Sequence, residues 1–570
     1  MVGVLFNQKN DFTGGINYRA DQFQLAANES PDILNLEIDP RGGIFTRAGY
    51  KFLNQEPFEL PGDTAWNPKA IFNYTSGEDA PFVMVGTGYY IDDTIPEVFE
   101  GSVYYGTGGN FTQLVDTGTG NDGIQIYSEN GPSFAQWEDN LYIAVGIGPG
   151  PNSTAKWVGD TGTDATRLIA SGPTWQNYEL PVGGYFPMAQ LIITHANKMF
   201  AANTREDGTN YPNRLRWSHE NSPENWFDDD FIDINIGGEG ITGLQVVDGQ
   251  LIIFKPKAMF LLMGYDADNF QLVELSTTLG IDYPWQCVAG DGGVYFFDYP
   301  KGLFFYNRNG IQDIFVKIRP ILINNQVNKL ALDKISVAYI NQRCWLALPY
   351  NGTSSPPDYA AVNFIFDQTI GEFGSYTLFQ SADGFGMWGG IDWRSSDDTA
   401  YSLAIRKDSN FVVLVDDYNN NEDDVWNTST EEIDLTEFNS TYRTSWFDDD
   451  RYVQEKTFVA PEFVMKEVEA NTQIKVNVYY NFDSSTVARS QTIALSPTTT
   501  GGIYGTGLYG TAVYGISTVG ASIFVGNPMG KANAIQLEFI GPTDTITNTP
   551  GREWGINSIS YKYKRRNIKG

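Results

Sequence analysis

The stretch VDGQLIIFKPKAMFLLMG, residues 247–264, contains two short apolar runs, each preceded by a polar segment that is suited to a turn. Asp248-Gly249 comes before LIIF, and Lys255-Pro256-Lys257 separates LIIF from AMFLLM. Short apolar runs bounded by Gly, Pro, Asp or Asn are typical of β-strands. The stretch therefore predicts a meander of short strands, and a lone meander cannot hide both its faces and its edges.

The same opener, a polar turn followed by a mostly apolar run, recurs along the chain. A period of roughly 55 residues with short strands in each repeat is a signature of sheets stacked radially as the blades of a β-propeller. The period is longer and more variable than in regular propellers, so we expect insertions and about six to eight blades. The openers are GEDAPFVMV (77–85), WEDNLYIAV (137–145), HANKMFAAN (195–203), VDGQLIIFK (247–255), GDGGVYFFD (290–298), INQRCWLAL (340–348) and RKDSNFVVL (406–414).

The pattern changes after about residue 435, where TQIKVNVYYNF, NAIQLEFIG and WGINSISYKYKRR alternate apolar and polar residues. Period-two alternation with intervening turn residues predicts an antiparallel β-sandwich. The predicted fold class is therefore all-β, with a propeller at 61–434 and a C-terminal sandwich domain at 435–570. Residues 1–60 are predicted to be an extended segment whose strands complete the propeller or dock on a larger assembly.

One segment of the predicted sandwich has an unusual composition. In GGIYGTGLYGTAVYGIS (501–517), Tyr504, Tyr509 and Tyr514 recur every five residues, and each is followed by glycine. Such a segment is typical of a flexible loop or of one that becomes ordered in an assembly. A mobile insertion with no fixed role is an equal alternative.

Acidic residues greatly outnumber basic ones, 69 against 37, which gives a net charge of −32. Proteins that bind the nucleic-acid backbone concentrate cations, so this balance argues against ordinary DNA or RNA binding. It is compatible with a surface past which DNA slides without sticking, and equally with an acidic surface that only maintains solubility. The basic C-terminus is expected either to contact an acidic neighbour or to be solvated; its residues are Lys562, Lys564, Arg565, Arg566 and Lys569.

The cysteines and the N-terminus bear on the cellular compartment. Cys287 and Cys344 are too few for a disulfide framework and are expected to be buried thiols. The N-terminal MVGVLFNQKNDFTGG lacks the pattern of a signal peptide, and no segment approaches the roughly 18 apolar residues of a membrane span. We therefore expect synthesis in a cytoplasm.

Two similar acidic motifs, NWFDDD (225–230) and SWFDDD (445–450), raise the question of a metal or catalytic site. Calcium loops direct alternating oxygen ligands at one point, whereas consecutive residues of a strand point to opposite faces. The acidic run DDYNNNEDD (416–424) also lacks calcium-loop spacing. We expect both motifs to be strand edges at which the two aromatic residues divide between buried and exposed faces and the aspartates turn the chain in solvent.

The two histidines, His195 and His219, do not favour a site either. They are far apart in sequence, and neither is near a cysteine, so zinc binding is disfavoured. Ser218, His219 and Glu220 are adjacent, but neighbours along a strand face away from one another, which is poor geometry for a triad. No catalytic residue, metal ligand or cofactor-binding residue is therefore predicted.

Residues 12–54, FTGGINYRADQFQLAANESPDILNLEIDPRGGIFTRAGYKFLN, resemble the opening of the tail nozzle proteins (tail tubular protein B) of short-tailed double-stranded DNA bacteriophages. A second segment, RLRWSHENSPENWF (214–227), is similar to a part of these proteins in which a Trp-Ser strand precedes a Pro-x-x-Trp turn. The first resemblance is carried by Gly14-Gly15-Ile16, the segment through Asn28 and Pro31, and Gly42-Gly43-Ile44 with Arg47, Gly49 and Tyr50.

The resemblance implies a non-enzymatic structural protein of the virion tail, made in the host bacterial cytoplasm. It implies a homohexameric ring that binds the tail adaptor ring, carries fibres or spikes, meets the host envelope and lets DNA pass through its lumen without specific binding. Acidic groups on that lumen would repel DNA and keep it from adhering.

Two alternatives from other classes stay open. Propellers also host glycosidases, in which two carboxylates flank the sugar, so a glycan hydrolase or depolymerase is the first. With 69 acidic residues, the sequence singles out no pair. A carbohydrate-binding adhesion protein is the second.

Overall fold

The computed structural model describes the following residues: 4–21, 23–58, 67–76, 81–91, 98–115, 123–124, 126–148, 154–159, 163–168, 186–206, 208–227, 229–238, 240–324, 326–349, 361–379, 387–395, 399–406, 411–417, 422–427, 432–466, 472–495, 521–525, 527–541 and 554–566. Short strands precede the first repeat: β1 (Leu5–Lys9), β2 (Asp32–Leu34), β3 (Leu36–Ile38), β4 (Ile44–Thr46) and β5 (Gly49–Phe52).

Within those ranges, five separate antiparallel sheets follow one another along the chain as blades of a β-propeller. Blade 1 contains β6 (Asn67–Tyr74), β7 (Phe82–Ile91), β8 (Val98–Glu100), β9 (Val103–Gly106) and β10 (Thr112–Gln113). Blade 2 contains β11 (Ser133–Trp137), β12 (Asn140–Ala144), β13 (Ala155–Trp157) and β14 (Thr166–Arg167), and blade 3 contains β15 (Met188–His195), β16 (Lys198–Glu206), β17 (Thr209–Trp217) and β18 (Phe231–Asp233). Blade 4 contains β19 (Gly243–Val247), β20 (Gln250–Lys255), β21 (Ala258–Met263) and β22 (Gln271–Ser276), and blade 5 contains β23 (Cys287–Gly290), β24 (Gly293–Asp298), β25 (Gly302–Asn307) and β26 (Gly310–Asp313).

In blades 2 to 5 the polar openers form the turns between the first and second strands. In the stretch 247–264, Val247 pairs with Gln250 across Asp248-Gly249, whose φ angles are 51° and 70°. Positive φ at both positions is the type I′ geometry, which fits the twist of a hairpin and favours Asp, Asn and Gly. Asp291-Gly292 has the same geometry, with φ angles of 50° and 68°. The predicted strand pairs are confirmed at these repeats.

The continuous apolar run of β20 is explained by packing on both faces. Leu251 and Ile253 belong to a core shared with blade 3, whereas Ile252 and Phe254 belong to a core shared with blade 5 through Phe296. Because successive side chains of a strand point to opposite faces, a strand between two neighbouring blades must be apolar at every position. Radial stacking therefore buries both faces of the meander.

The circle of blades is continued by strands of a larger sheet: β27 (Ser336–Ile340), β28 (Arg343–Pro349), β29 (Ala361–Asp367), β30 (Glu372–Phe379), β31 (Met387–Arg394), β32 (Ala400–Arg406) and β33 (Val412–Asp417). Strand β27 contacts β23 of blade 5, and β31 contacts β6 of blade 1. These strands are not separate sheets, because β27 and β31 are bridged at Ala338 and Gly389 and β30 pairs with β2, all within one 13-stranded sheet. The prediction of six to eight blades is therefore wrong, because five of the sheets in the described chain are separate blades.

The remaining strands are β34 (Glu422–Asn427), β35 (Glu432–Glu437), β36 (Ser440–Arg443), β37 (Lys456–Phe458), β38 (Glu462–Lys466), β39 (Thr472–Tyr480), β40 (Arg489–Leu495), β41 (Ala521–Val525), β42 (Gly530–Ala532), β43 (Ile535–Gly541) and β44 (Gly555–Arg565). A separate sandwich domain, as predicted, is not shown by these strands. Strand β44 pairs with β1 and β4 in an eight-stranded sheet, and β36 joins β2 in the 13-stranded sheet. N-terminal strands complete both C-terminal sheets, so the sheets cross the expected boundary at 434/435. The domain limits stay a prediction, and the loop at 501–517 lies outside the described residues.

Helical structure is minor in the described chain. It consists of an α-helix at Pro320–Ile323 and 3-10 turns at Ala267–Asn269, Pro284–Gln286 and Leu332–Lys334. None of these could cross a membrane. The all-β fold class is therefore confirmed.

Candidate functional site

The first strands of the blades surround a channel at the centre of the propeller. Strands β6, β11, β15, β19 and β23 all contribute to its wall, together with β27 and β31, and its volume is about 730 Å³. Small residues keep it open. A Cβ on Gly243 would come within 2.7 Å of Ile281 Cδ1, so a larger residue there would disturb the wall. The channel is the first candidate site, because strands from all five blades meet at it.

The wall is mostly neutral. Its charged members among the described residues are Lys69, Glu129 and Asp282. Hydrogen bonds between neighbouring blades set its polar positions: Ser128 Oγ donates to Gln190 Oε1 at 2.8 Å, and Ser133 Oγ accepts from the backbone N–H of Ile192 at 3.1 Å. Such a wall favours a polar, uncharged ligand over a polyanion.

Asp282 is the carboxyl group of this wall that is best suited to acid–base chemistry. It is reached by solvent but surrounded by protein, and this partial desolvation raises its pKa, while Lys257 opposes the effect. Gln286 Oε1 fixes the turn by accepting the backbone N–H of Asp282 at 2.9 Å. Burial also raises the pKa of Tyr283, with further contributions from Asp333, Asp282 and Glu129. A carboxyl that keeps its proton longer than usual can act as a general acid.

The cysteines are free and buried, as predicted. Cys287 stands in the channel wall, and burial raises the pKa of its thiol to about 12. Burial also raises the pKa of Cys344, which packs in the core around the C-terminal strands. A thiol with a raised pKa is a poor nucleophile, so neither residue adds reactivity to the channel.

The structure does not bring the histidines into a site. His219 is exposed, with Nδ1 3.0 Å from the backbone oxygen of Glu220, and Ser218 Oγ accepts the backbone N–H of Met199 instead of facing the imidazole. His195 is buried near Phe200, and burial lowers its pKa. In the part of the chain that the structure describes, no cluster of three His, Cys, Asp or Glu side chains could hold a metal ion.

NWFDDD ends the loop between β17 and β18 of blade 3, and this loop contacts blade 2. Trp226 is buried against Phe186, with ring centroids 4.9 Å apart, while Phe227 is half-buried, so the predicted burial holds for Trp226 but the predicted exposure of Phe227 does not. Arg216 Nη1 donates to the backbone oxygen of Phe227 at 2.6 Å. Asp229 is exposed. This motif therefore anchors a loop.

SWFDDD has a different environment. Trp446 and Phe447 are both half-buried, so the predicted division between buried and exposed faces is wrong for this copy. Asp449 accepts hydrogen bonds from Tyr563 Oη at 2.5 Å and from Arg565 Nε at 2.6 Å. The difference arises because the second copy contacts β44, a strand more than a hundred residues away in sequence.

The basic C-terminus therefore has acidic partners in its own chain. Besides the pair formed by Arg565 and Asp449, Lys562 pairs with Glu462, and Arg566 with Glu455. These pairs agree with the prediction of an acidic neighbour. Lys569 lies outside the described residues.

The acidic run at 416–424 also pairs with a cation of this chain. Arg47 donates from Nη1 to Asp423 Oδ1 at 2.9 Å, and Asp424 Oδ2 accepts the backbone N–H of Phe52 at 2.8 Å. Both aspartates are buried. They hold the hairpin of β34 and β35 against the N-terminal segment that contains β5, and their partners include an arginine and a backbone amide.

A buried charge cluster in blade 3 was missed by the sequence analysis. Glu206 accepts from Arg214 Nη1 at 3.0 Å and from Arg216 Nη2 at 2.8 Å, and Arg214 also binds Asp233 through two nitrogens. The guanidinium of Arg214 lies 3.6 Å from the ring centre of Phe231. The sequence signal for this cluster was Arg214-Leu215-Arg216, because alternate residues of a strand lie on the same face and the two arginines are therefore neighbours.

No protein-family model and no curated protein matches this sequence. Among solved structures, the chain is similar to a Trypanosoma rangeli sialidase in complex with sialic acid, with 11% identity, a TM-score of 0.29, and coverage of 92% of this chain and 96% of the sialidase. It is also similar to the Dos1 propeller, with 10% identity, a TM-score of 0.33, and coverage of 68% and 92%. A mannose phosphorylase from Leishmania mexicana matches with 10% identity and a TM-score of 0.25 over 64% of this chain and 88% of its own. Likenesses this weak carry no argument about activity, and the propeller arrangement rests on the sheets themselves.

Proposed function

We propose that this protein is a non-enzymatic component of a bacteriophage tail nozzle, assembled as a ring through which DNA leaves the particle. The observation that carries the proposal is that the residues responsible for the sequence resemblance hold sheets together. Residues that hold sheets together suit a structural protein that works as a rigid protomer.

The N-terminal resembling segment ties the large sheet to the rest of the chain. Gly15 has φ +65°, and a Cβ there would lie 2.4 Å from the backbone oxygen of Phe373 in β30, so only glycine fits. Arg47, with 4% of its side chain exposed, pairs with Asp423 at the far end of the propeller sequence. These contacts join residues that are more than 350 positions apart.

The second resembling segment joins blades 2 and 3. Glu224, in the Pro-x-x-Trp turn, accepts from Tyr142 Oη at 2.7 Å and from Lys156 Nζ at 2.6 Å, both in blade 2. Trp226 packs in the core that contains Tyr142 and Ala201. A nozzle must resist deformation while DNA passes, and linked blades provide that rigidity. The net charge of −32 favours passage without adhesion.

The test uses a phage that carries this gene, with gold-labelled antibody against the protein and electron microscopy of intact particles. We expect label at the tail end and a ring in averaged images. Phage with Trp226→Ala should yield DNA-filled heads without a complete nozzle, whereas the exposed Tyr265→Ala, which serves as the control, should yield complete particles. Complete infectious particles that lack the protein would overturn the proposal.

A glycan hydrolase is the second candidate, favoured by Glu129 and Asp282 on one channel wall and by the raised pKa of Asp282. Glycoside hydrolysis uses a general acid together with a second carboxyl group across the sugar. If this candidate holds, purified protein releases sugar from host envelope, Glu129→Gln and Asp282→Asn abolish the release, and Asp248→Asn in an exposed turn does not. No release from wild-type protein rejects this candidate.

A further inference from the structure

A second cavity, of about 510 Å³, lies outside the propeller channel, where the N-terminal segment meets β30 and the C-terminal strands. We refer to it as the junction pocket, and it is lined by Tyr18, Asp32, Tyr376, Arg443, Trp446 and Gln536, among others. Its volume is within the range of small-molecule sites. None of the features described for the channel involves it.

A ladder of polar side chains crosses the sheet at this pocket. Asp32 of β2 lies directly opposite Arg443 of β36, which lies directly opposite Glu538 of β43. Arg443 Nε donates to Glu538 Oε1 at 3.1 Å, and Tyr376 Oη donates to Asp32 Oδ1 at 2.8 Å. The carboxylate of Asp32 and the guanidinium of Arg443 therefore reach the pocket wall held in fixed orientations by neighbours on both sides.

Gln536 forms part of the floor of the pocket. The residue is 2% exposed, lines the pocket, and donates from Nε2 to the backbone oxygen of Thr444 at 2.8 Å. A carbonyl oxygen can only accept, so this contact fixes the amide orientation and leaves Oε1 as the other end. Oε1 is buried and has no hydrogen-bond partner. Solvent does not reach this oxygen, so the acceptor that the pocket offers to a ligand is the carboxyl group of Asp32.

The donor that fits is a hydroxyl group. Half-buried aromatic rings of Tyr18, Tyr376 and Trp446 supply flat apolar surface, while Asp32 supplies an acceptor. Sugar rings combine apolar C–H faces with outward hydroxyl donors, so they match both kinds of surface. The carboxylates of Asp32 and Glu538 disfavour an anionic sugar, because Arg443 is already engaged by Glu538.

We propose that the junction pocket binds an uncharged saccharide unit, whose hydroxyls donate to Asp32 while its ring packs on the aromatic wall. The site is separate from the channel and involves no bond cleavage. It is also independent of the nozzle proposal, since a structural ring and an adhesion protein can both hold such a pocket.

The test is saturation-transfer NMR and calorimetry on the full chain with maltotriose, cellotriose, chitotriose, lactose and, as the anionic member, sialyllactose. We expect at least one neutral sugar to bind, with affinity reduced about tenfold or more by Asp32→Asn and by Trp446→Ala. Ser484→Trp should block binding without disturbing the core, because Ser484 is an exposed residue of the pocket lining. Tyr265→Ala, whose side chain is 75% exposed, serves as the control.

Melting temperatures identify any variant that fails to fold, and Ser484→Trp keeps the test valid if Asp32→Asn does fail. The proposal is overturned if folded wild-type protein binds no neutral sugar of the panel, if sialyllactose binds most tightly, or if Ser484→Trp binds as well as wild type. Binding that persists in both Glu129→Gln and Asp282→Asn supports the junction pocket over the channel as the site.

Discussion

Arg216 binds Glu206 through two nitrogens, with Nε 3.1 Å from Oε1 and Nη2 2.8 Å from Oε2, and both side chains are at most 8% exposed. The same carboxylate accepts from Arg214 and from Thr204 Oγ1. One acidic residue therefore satisfies two buried cations in blade 3. Arg216 also holds the loop that ends in NWFDDD, so this cluster connects the blade core to the contact with blade 2.

Glu206→Gln should lower the free energy of unfolding by about 3–5 kcal/mol, because it leaves buried guanidinium charge without its carboxylate. The matched control is Asp248→Asn, which breaks the exposed pair with Arg308, whose side chain is 68% exposed. That change should cost about 0–1 kcal/mol. Urea unfolding followed by tryptophan fluorescence measures both, and equal costs would contradict the role assigned to the cluster.

The two WFDDD motifs should respond differently to loss of their tryptophan. Trp226→Ala removes a side chain that is 1% exposed and should cost about 3–5 kcal/mol. Trp446→Ala removes a half-buried ring that contacts Phe482, at about 1 kcal/mol. Thermal unfolding of the two variants side by side provides the comparison. A larger loss for Trp446→Ala would show that the motifs have been assigned to the wrong environments.

Lys9 should make stability depend on pH. Its Nζ is buried 5.3 Å from the ring centres of Phe12 and Tyr442, and burial lowers its pKa from 10.5 to about 7, with Asp11 opposing. The unfolded chain then binds more protons between these values, so this residue makes stability rise with pH from about 7 to about 10. Below about pH 7, Lys9 is protonated in the folded and in the unfolded chain, so the full free-energy cost of burying the ammonium group lowers the stability of the fold.

Lys9→Met should therefore raise the melting temperature at pH 6, and the gain should shrink towards pH 10. Lys329→Met, at an exposed position, provides the control and should show no such trend. Differential scanning calorimetry at several pH values measures both variants. A gain that is the same at pH 6 and pH 10 would show that Lys9 does not titrate in this range.

Asp449→Asn tests the link between SWFDDD and β44. Burial alone would raise the pKa of Asp449, but hydrogen bonds from Arg565 and Tyr563 outweigh it and hold the pKa below its usual value. A depressed pKa stabilises the fold above the unfolded value of about 3.9, and the stabilisation is lost as pH falls through the folded value. The variant should melt below wild type at pH 7, and the difference should narrow below about pH 4.

The neighbouring Asp450→Asn is the control for this change, since Asp450 is exposed and has φ 52°, which asparagine tolerates. It should leave the melting temperature unchanged across the same pH range. If both variants destabilise the protein equally, the effect belongs to the turn and not to the pair with Arg565.

Local pattern was enough to predict the strands and many of their turns. The openers at Asp248-Gly249 and Asp291-Gly292 form two-residue hairpins because Asp and Gly tolerate positive φ, which is a property of the residues themselves. The apolar run of β20 predicted a strand with both faces covered. Local pattern could therefore predict the strands that form the channel wall. It could not predict that Glu129 and Asp282 meet there, because both lie in loops, whose positions are not set by neighbouring residues in the sequence.

Sequence alone thus determined that the chain is all-β, that it repeats in meanders and that its two cysteines are buried thiols. Tertiary structure decided which strands share a sheet: β2 joins β36 to β30, and β44 pairs with β1, which merges the expected sandwich with the N-terminus. It also decided the roles of NWFDDD and SWFDDD, whose letters are nearly identical. The physical reason is that strand pairing and ion pairing depend on surfaces brought together from hundreds of residues away, whereas turn and strand preferences are set by neighbours in the chain.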